Sequence, residues 1–184
     1  MPDLFARHFP LRPARAHEVT GSGATGFAAI SCGLGAKGAM WLAEGWQPET
    51  LNPVGLAPYC DPAKLILGRT RTMTDTLACA EESLRSGAVS TVVAELTQPL
   101  GFTAGRRLQL AAEAGKTTGV FIISDGAGNN AAETRWRCDP VFDAGDSTLM
   151  RWKLIKNKSG TLVAWRVRWD EQARRIIVVS KTGE

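Results

Sequence analysis

A glycine-rich stretch near the amino terminus constrains the fold more than any other part of the sequence. Residues 17–20 form a short β-prone run, Gly21 and Gly26 follow five positions apart, and an apolar segment extends to Leu34. A strand, a glycine loop and a helix in this order are typical of the loop that binds nucleotide phosphates. We therefore expect an α/β core in which this loop joins the first strand to the first helix.

The loop lacks the residues with which such a loop binds and hydrolyses ATP. A working loop has lysine after its second glycine, and then serine or threonine, whose hydroxyl holds Mg²⁺. Here these positions are Phe27 and Ala28, and we expect Phe27 to pack under the loop. The predicted remnant of a nucleotide site is Gly21, Gly23, Gly26, Phe27 and Ala28. A glycine-rich turn that never bound a nucleotide fits this stretch equally well, because glycine is the default residue where φ is positive.

The composition is that of one globular domain without a membrane span. The chain has 184 residues, of which 22% are charged and 44% apolar, values ordinary for a soluble protein. No apolar run approaches the ~18 residues that a spanning helix needs, and no signal-peptide pattern opens the sequence, so we expect a cytoplasmic protein. No C-x-x-C pair and only two histidines are present, which indicates neither a zinc site nor a disulfide framework. The cysteines, expected to be buried and reduced, are Cys32, Cys60, Cys79 and Cys138.

Basic residues concentrate in the last part of the chain. Residues 151–184 contain nine Lys or Arg and three Asp or Glu, whereas residues 1–150 contain thirteen and fifteen. Such asymmetry indicates contact with an acidic partner or nucleic acid, and a solvated sheet face is the alternative. The candidate surface consists of Lys153, Lys156, Lys158, Arg166 and Arg168.

The order of predicted elements changes near residue 133. Residues 1–16 contain three prolines and no clear period, which predicts an irregular arm before a single domain over 17–184. Strands then alternate with helices, which predicts a mainly parallel sheet flanked by helices. Four strand-like segments follow, and they predict an antiparallel meander with one packed and one basic face. These segments are 134–138, 150–157, 162–169 and 175–179.

This order of parts resembles the RecA-type ATPase core, which is a P-loop NTPase fold. The amino-acid sequences of several segments are similar to those of the ImuA family, which consists of RecA-like proteins of bacterial damage-induced mutagenesis cassettes. The similar segments are 17–19, 84–89, 92–96, 106–111 and 152–158. The resemblance favours a degenerate phosphate-binding loop over an unrelated glycine turn.

The resemblance also identifies which catalytic positions are kept. Glu44 stands where RecA-type enzymes have the glutamate that prepares the attacking water. The Mg²⁺-assisting aspartate of the fourth strand aligns with Ala94, and Glu95 should point to the opposite face of the sheet. Since several groups that stabilise phosphoryl transfer are missing together, the resemblance implies no catalytic residue, no cofactor and no metal.

Two functions follow from this comparison. The resemblance implies a non-catalytic adaptor of the SOS response and error-prone translesion synthesis, nucleoid-associated when engaged. Its partner would be an inactive Y-family polymerase homologue and, through it, an error-prone C-family replicative polymerase. The alternative is a DNA-binding ATPase or recombinase-like enzyme with an atypical site for ATP and Mg²⁺ around Glu44. A weak single-stranded DNA contact through the basic residues is a further hypothesis, against which Trp152, Trp165 and Trp169 are expected to be core residues.

Overall fold

A nine-stranded mixed sheet forms the centre of the protein. The structure, a computed structural model, describes the backbone of residues 2–182 and the side chains of residues 4–180. The strands are β1 (Ala16–Thr20), β2 (Ala39–Glu44), β3 (Leu65–Thr70), β4 (Thr91–Glu95), β5 (Thr118–Ile122), β6 (Thr134–Pro140), β7 (Met150–Asn157), β8 (Val163–Asp170) and β9 (Arg175–Thr182). Their spatial order is β3-β2-β4-β5-β1-β6-β7-β8-β9.

The pairing is parallel from β3 to β6 and antiparallel from β6 to β9. The predicted mainly parallel sheet with antiparallel carboxy-terminal strands is thereby confirmed. One strand differs from the expectation, because the sequence predicts that β6 belongs wholly to the antiparallel meander. It also pairs in parallel with β1, where His17 lies opposite Thr134. The first strand therefore has β5 on one side and β6 on the other.

Helices cover both faces of the parallel part. The helices among residues 2–182 are α1 (Pro2–Ala6), α2 (Ala24–Gly33), α3 (Pro53–Leu56), α4 (Met73–Ser86) and α5 (Phe102–Gly115), with a 3-10 turn at Pro62–Lys64. Of these, α2 lies on one face of the parallel part and α4 and α5 lie on the other. In β4, Val93 packs in the cluster that contains α2, while Val92 and Ala94 pack with α4 and α5. This alternation is the period of two that a strand buried on both faces requires.

Residue propensities in the sequence favour Thr74 or Asp75 as the cap of α4 and Thr103 as the cap of α5, but both helices begin at other residues. Helix α4 is capped by Thr72, whose hydroxyl accepts a hydrogen bond from the Asp75 amide at 3.2 Å, rather than by Thr74 or Asp75. Helix α5 begins after Gly101 and not at Thr103. In both cases an extended residue just before the helix forms the cap, which propensity alone locates poorly.

The amino-terminal arm is part of the core. It was predicted to be irregular, but it contains the short helix α1, and Phe5 and Phe9 are buried. The Phe5 ring lies 5.1 Å from that of Trp165, and the Phe9 ring lies 5.0 Å from that of Trp152. The arm therefore covers the packed face of the antiparallel strands together with Phe27 of α2, whose ring lies against those of Phe9 and Trp152.

Three of the four cysteines are buried free thiols, as expected, whereas Cys79 is exposed. Burial raises the pKa of the Cys32, Cys60 and Cys138 thiols. Within the described part of the chain, no helix is both long and apolar enough to span a bilayer.

Candidate functional site

The glycine loop is shorter than the sequence predicted. Helix α2 begins at Ala24, with Gly23 as its amino-terminal cap, so the loop spans Gly21–Gly23 instead of Gly21–Gly26. Gly26 lies in the first turn of the helix. The early start follows from packing, because Ala24 and Phe27 stand one turn apart and are both buried. The turn itself needs glycine at position 21, where φ is +94°.

Strand β6 closes the loop from the side. The Gly23 amide donates a hydrogen bond of 2.8 Å to the Cys138 carbonyl. A Cβ atom on Gly21 would collide with the same carbonyl and lie 2.7 Å from the Asp139 carboxylate, and one on Gly23 would lie 3.0 Å from the carbonyl. A backbone amide that a phosphate would use is therefore already bonded within the protein.

Two carboxylates also lie beside the loop. The Thr20 hydroxyl donates to Asp125 at 2.6 Å, and the Arg137 guanidinium donates to Asp125 at 2.8 Å and to Asp139 at 2.9 Å. These bonds, that from Thr20 first and that from Arg137 second, lower the pKa of the Asp125 carboxyl. A phosphate entering the loop would meet two carboxylates and an arginine that is already paired with both, an arrangement that repels an anion.

Phe27 fills the space under the loop. It is completely buried, and its ring centroid lies 4.7 Å from that of Trp152, 5.5 Å from that of Phe9 and 5.6 Å from that of Trp136. Ala28 is completely buried as well. The prediction that Phe27 packs under the loop is confirmed, and its position belongs to an aromatic core shared by α2, the arm and the antiparallel strands.

The carboxylates on the neighbouring strands have partners of their own. Ala94 is buried, and Glu95 lies on the opposite face as predicted, where it accepts a 2.7 Å hydrogen bond from the Trp41 indole. Glu44 is buried at the end of β2 and accepts a hydrogen bond from the Thr97 hydroxyl. Strand β2 is three strands from β1, or about 14 Å at ~4.8 Å per strand. The structure therefore does not bring Glu44 to the glycine loop. The residues that the structure describes also contain no cluster of three side chains that could hold a metal ion.

This site predicts that the chain does not bind Mg·ATP with micromolar affinity. The Gly23 amide is already bonded, and both the lysine and the hydroxyl ligand are replaced by buried apolar residues. Titration calorimetry with ATP at neutral pH, in the presence of excess Mg²⁺, should give no heat beyond that of dilution. Saturable micromolar binding, with radiolabelled ATP turnover that disappears in Glu44→Ala, would instead support an enzyme.

The basic residues predicted to form one surface fall into two groups. Lys153, Arg166 and Arg168 are exposed on the unpacked face of β7 and β8. Arg151, which the sequence analysis missed, lies directly opposite Arg166 on the same face. Arg151 stands two positions before Lys153 in the sequence, and this spacing predicts that both residues lie on the same face of a strand. We call Arg151, Lys153, Arg166 and Arg168 the basic face.

Lys156 and Lys158 do not belong to the basic face. The Lys156 ammonium donates to the Ala132 carbonyl, and its pKa is lowered, mainly because burial disfavours the charged form. The Lys158 ammonium lies 3.9 Å from the Glu133 carboxylate, near the start of β6. The period of two would place Lys156 on the packed face with Trp152 and Leu154, whereas the register shift beside Arg135 pairs Lys156 with Arg135 of β6.

The tryptophans of the antiparallel strands are structural. Trp136, Trp152 and Trp165 are buried on the face opposite the basic residues, as expected for Trp152 and Trp165. Trp169 is half-buried, and its indole donates to the Pro58 carbonyl at 2.9 Å. These four rings therefore do not offer the exposed aromatic surface on which single-stranded DNA would stack.

The sequence and the fold of the chain are similar to those of known proteins. Two curated relatives from two strains of Caulobacter vibrioides, each named Protein ImuA, are 31% identical to the chain over 121 residues. The aligned part is 66% of this chain and 46% of each relative, so the chain spans less than half the length of the relatives it matches. No family model matches.

A solved structure, that of the RadB recombinase, has the same fold. Its TM-score is 0.60 with 13% sequence identity, and the match covers 89% of this chain and 90% of that one. This likeness concerns the fold alone, and it confirms the predicted RecA-like core. The similarity to Protein ImuA confirms the resemblance found in the sequence and supports membership of the chain in the ImuA family.

Proposed function

We propose that this protein is a non-catalytic RecA-like adaptor in bacterial DNA-damage-induced mutagenesis. In this role it binds a Y-family polymerase homologue in the cytoplasm and, through it, an error-prone C-family polymerase engaged in translesion synthesis at the nucleoid. The observation that carries the proposal is a RecA-like fold whose glycine loop is closed by the Cys138 carbonyl and filled from below by Phe27. A chain that keeps the scaffold without the phosphate site is suited to binding proteins.

The basic face supports a role in partner binding. Arg151 and Arg166 are directly opposite one another, an arrangement in which like charges destabilise a sheet. Among the described residues, no carboxylate lies within 4.0 Å of the Arg166 or Lys153 cation, whereas the Arg168 guanidinium is 3.8 Å from Asp146 and the Arg151 guanidinium is 3.8 Å from Asp139. An acidic partner surface would relieve this repulsion and would form bidentate hydrogen bonds with the guanidinium groups.

Charge reversal of the basic face tests the proposal. We expect the double variant Arg166→Glu with Arg168→Glu to bind a Y-family polymerase homologue of the same organism at least about tenfold more weakly. Its fold should persist, because exposed substitutions usually change stability by less than ~0.5 kcal/mol. Calorimetry at two salt concentrations measures the affinity, circular dichroism measures the fold, and damage-induced mutation frequency in cells gives the functional readout.

A matched control reverses the same number of charges elsewhere. Arg71 and Arg106 are exposed and lie outside the antiparallel strands, so Arg71→Glu with Arg106→Glu should keep the parent affinity. If both double variants lose affinity equally, net charge and not the basic face explains the effect. If the parent chain binds no Y-family homologue at all, the adaptor proposal is wrong.

A further inference from the structure

Strand β9 forms an open edge of the sheet. It is the last strand in the spatial order and pairs with β8 only, over Arg175–Thr182. One side of its backbone therefore has no partner strand in the described part of the chain. The edge is eight residues long and has a register shift where Val179 is left without a partner in β8; its length is enough to pair with another extended segment.

An apolar groove runs beside this edge, on the face covered by the arm. It has a volume of about 500 Å³, within the range of sites that hold a side chain or small ligand. Phe5 and Phe9 of the arm, Leu34 after α2, and Ile176 and Val178 of β9 line it. Leu34 is 41% exposed, so the groove opens to solvent.

The two faces of this edge differ in charge. Ile176 and Val178 lie opposite Trp169 and Val167 and face the groove, while Ile177 lies opposite Arg168 on the other side. Arg168 and Arg166 project from that other side, next to β9. Beside residues 175–178, before the register shift at Val179, a strand added to β9 would alternate in the same way, with every second residue above the groove and the rest toward the basic face.

We propose that β9 binds an extended segment of a partner protein in which apolar residues alternate with acidic ones. The segment pairs with the outer backbone of β9, its apolar side chains enter the groove, and its carboxylates lie toward Arg166 and Arg168. Charge complementarity selects this occupant, because Arg175 is the one charged group lining the groove among residues 4–180, whose side chains the structure describes, and the far face is basic. The inference rests on the proposed adaptor function and specifies the kind of partner segment.

A synthetic peptide tests this site without the natural partner. The probe is a capped eight-residue peptide in which glutamate alternates with valine or phenylalanine. We expect saturable binding to the full chain by fluorescence anisotropy, and at least about tenfold weaker binding of a peptide of the same composition with its glutamates grouped at one end.

Backbone methylation distinguishes strand pairing from apolar contact alone. Only alternate amides of an added strand face the sheet edge. One peptide is N-methylated at its glutamates and another at its apolar residues. We expect one of the two to bind like the parent peptide and the other to lose binding. Equal affinities for the two methylated peptides would show that no strand pairing occurs, and would overturn the proposal.

The groove is tested by two matched substitutions. Val179→Asp places a carboxylate at the groove, where Val179 is 53% exposed, and Val54→Asp makes the same change at an 81% exposed position on α3. We expect Val179→Asp to weaken peptide binding at least about tenfold and Val54→Asp to leave it unchanged. Peptide binding that is absent, or that is equal in the two variants, contradicts the proposal.

Sedimentation of the chain over a range of concentrations tests whether a second copy occupies the edge. Self-association that Val179→Asp abolishes, without binding of the alternating peptide, would make β9 a contact between copies and overturn the inference. The adaptor proposal is tested separately. If the β9 proposal fails, the adaptor proposal still stands provided that reversal of Arg166 and Arg168 weakens binding of the Y-family homologue.

Discussion

Replacing Phe27 with lysine, the residue that a working phosphate-binding loop has at this position, is expected to unfold the protein and not to restore ATP binding. Phe27 is completely buried between Phe9, Trp136 and Trp152. Loss of the ring costs roughly 3–5 kcal/mol, and an ammonium buried among aromatic rings adds a penalty of several kcal/mol. The sum is comparable to the whole stability of a domain, about 5–15 kcal/mol.

The matched control introduces the same residue two positions earlier. Thr25 is exposed in the first turn of α2, so Thr25→Lys should change the free energy of unfolding by less than ~1 kcal/mol. Phe27→Leu, which keeps an apolar side chain, should stay folded at an intermediate cost. Urea unfolding followed by circular dichroism measures all three variants. A Phe27→Lys protein with parental stability that binds Mg·ATP would show that the loop is still a phosphate site.

The parallel core was predictable because its strands and helices have clear local patterns. The apolar run 39–43 ends in Glu44, and Leu77, Ala80 and Leu84 repeat at helical spacing. The face of the sheet on which the Glu95 side chain lies also follows from the alternation of side chains along a strand. These predictions depend only on residues that are close in sequence, because the alternation of a strand and the turn of a helix determine which of those residues are buried.

The closure of the loop was not predictable, because it depends on contacts between distant residues. Cys138 and Asp139 lie more than 110 positions after Gly21, and only the parallel pairing of β6 with β1 brings them to the loop. No local pattern distinguishes a strand that pairs in parallel on one side and antiparallel on the other. The same limit explains Lys156, whose direction depends on a register shift beside Arg135.

The arm shows a second kind of limit. Its prolines predicted irregular structure, yet Phe5 and Phe9 pack against Trp165 and Trp152 of the antiparallel strands. A short helix of this length is marginal by itself and is stabilised by tertiary packing. The arm is ordered because its phenylalanine rings pack on the tryptophans of β7 and β8, and this contact joins two segments that are far apart in the sequence.

Trp41→Ala is expected to be the other strongly destabilising change. Trp41 is 2% exposed in the middle of β2 and packs in the same hydrophobic cluster as Phe27. Its truncation leaves a cavity worth roughly 3–5 kcal/mol. It also removes the indole that donates a 2.7 Å hydrogen bond to Glu95, leaving a half-buried carboxylate without that donor. We therefore expect a lower urea midpoint at pH 7 with an unchanged m-value.

Trp41→Phe separates the two contributions to this loss. It keeps most of the apolar volume and removes the N–H donor, so its cost should be at or below the ~1–3 kcal/mol of an unsatisfied buried acceptor, because Glu95 is half-buried, and below that of Trp41→Ala. Because Trp41 has an acceptor inside the protein and almost no exposed surface, both variants should bind the partner normally at temperatures where they are folded. A Trp41→Ala protein as stable as the parent but defective in binding the Y-family homologue would place Trp41 in a binding surface, since burial in the core then could not explain its role.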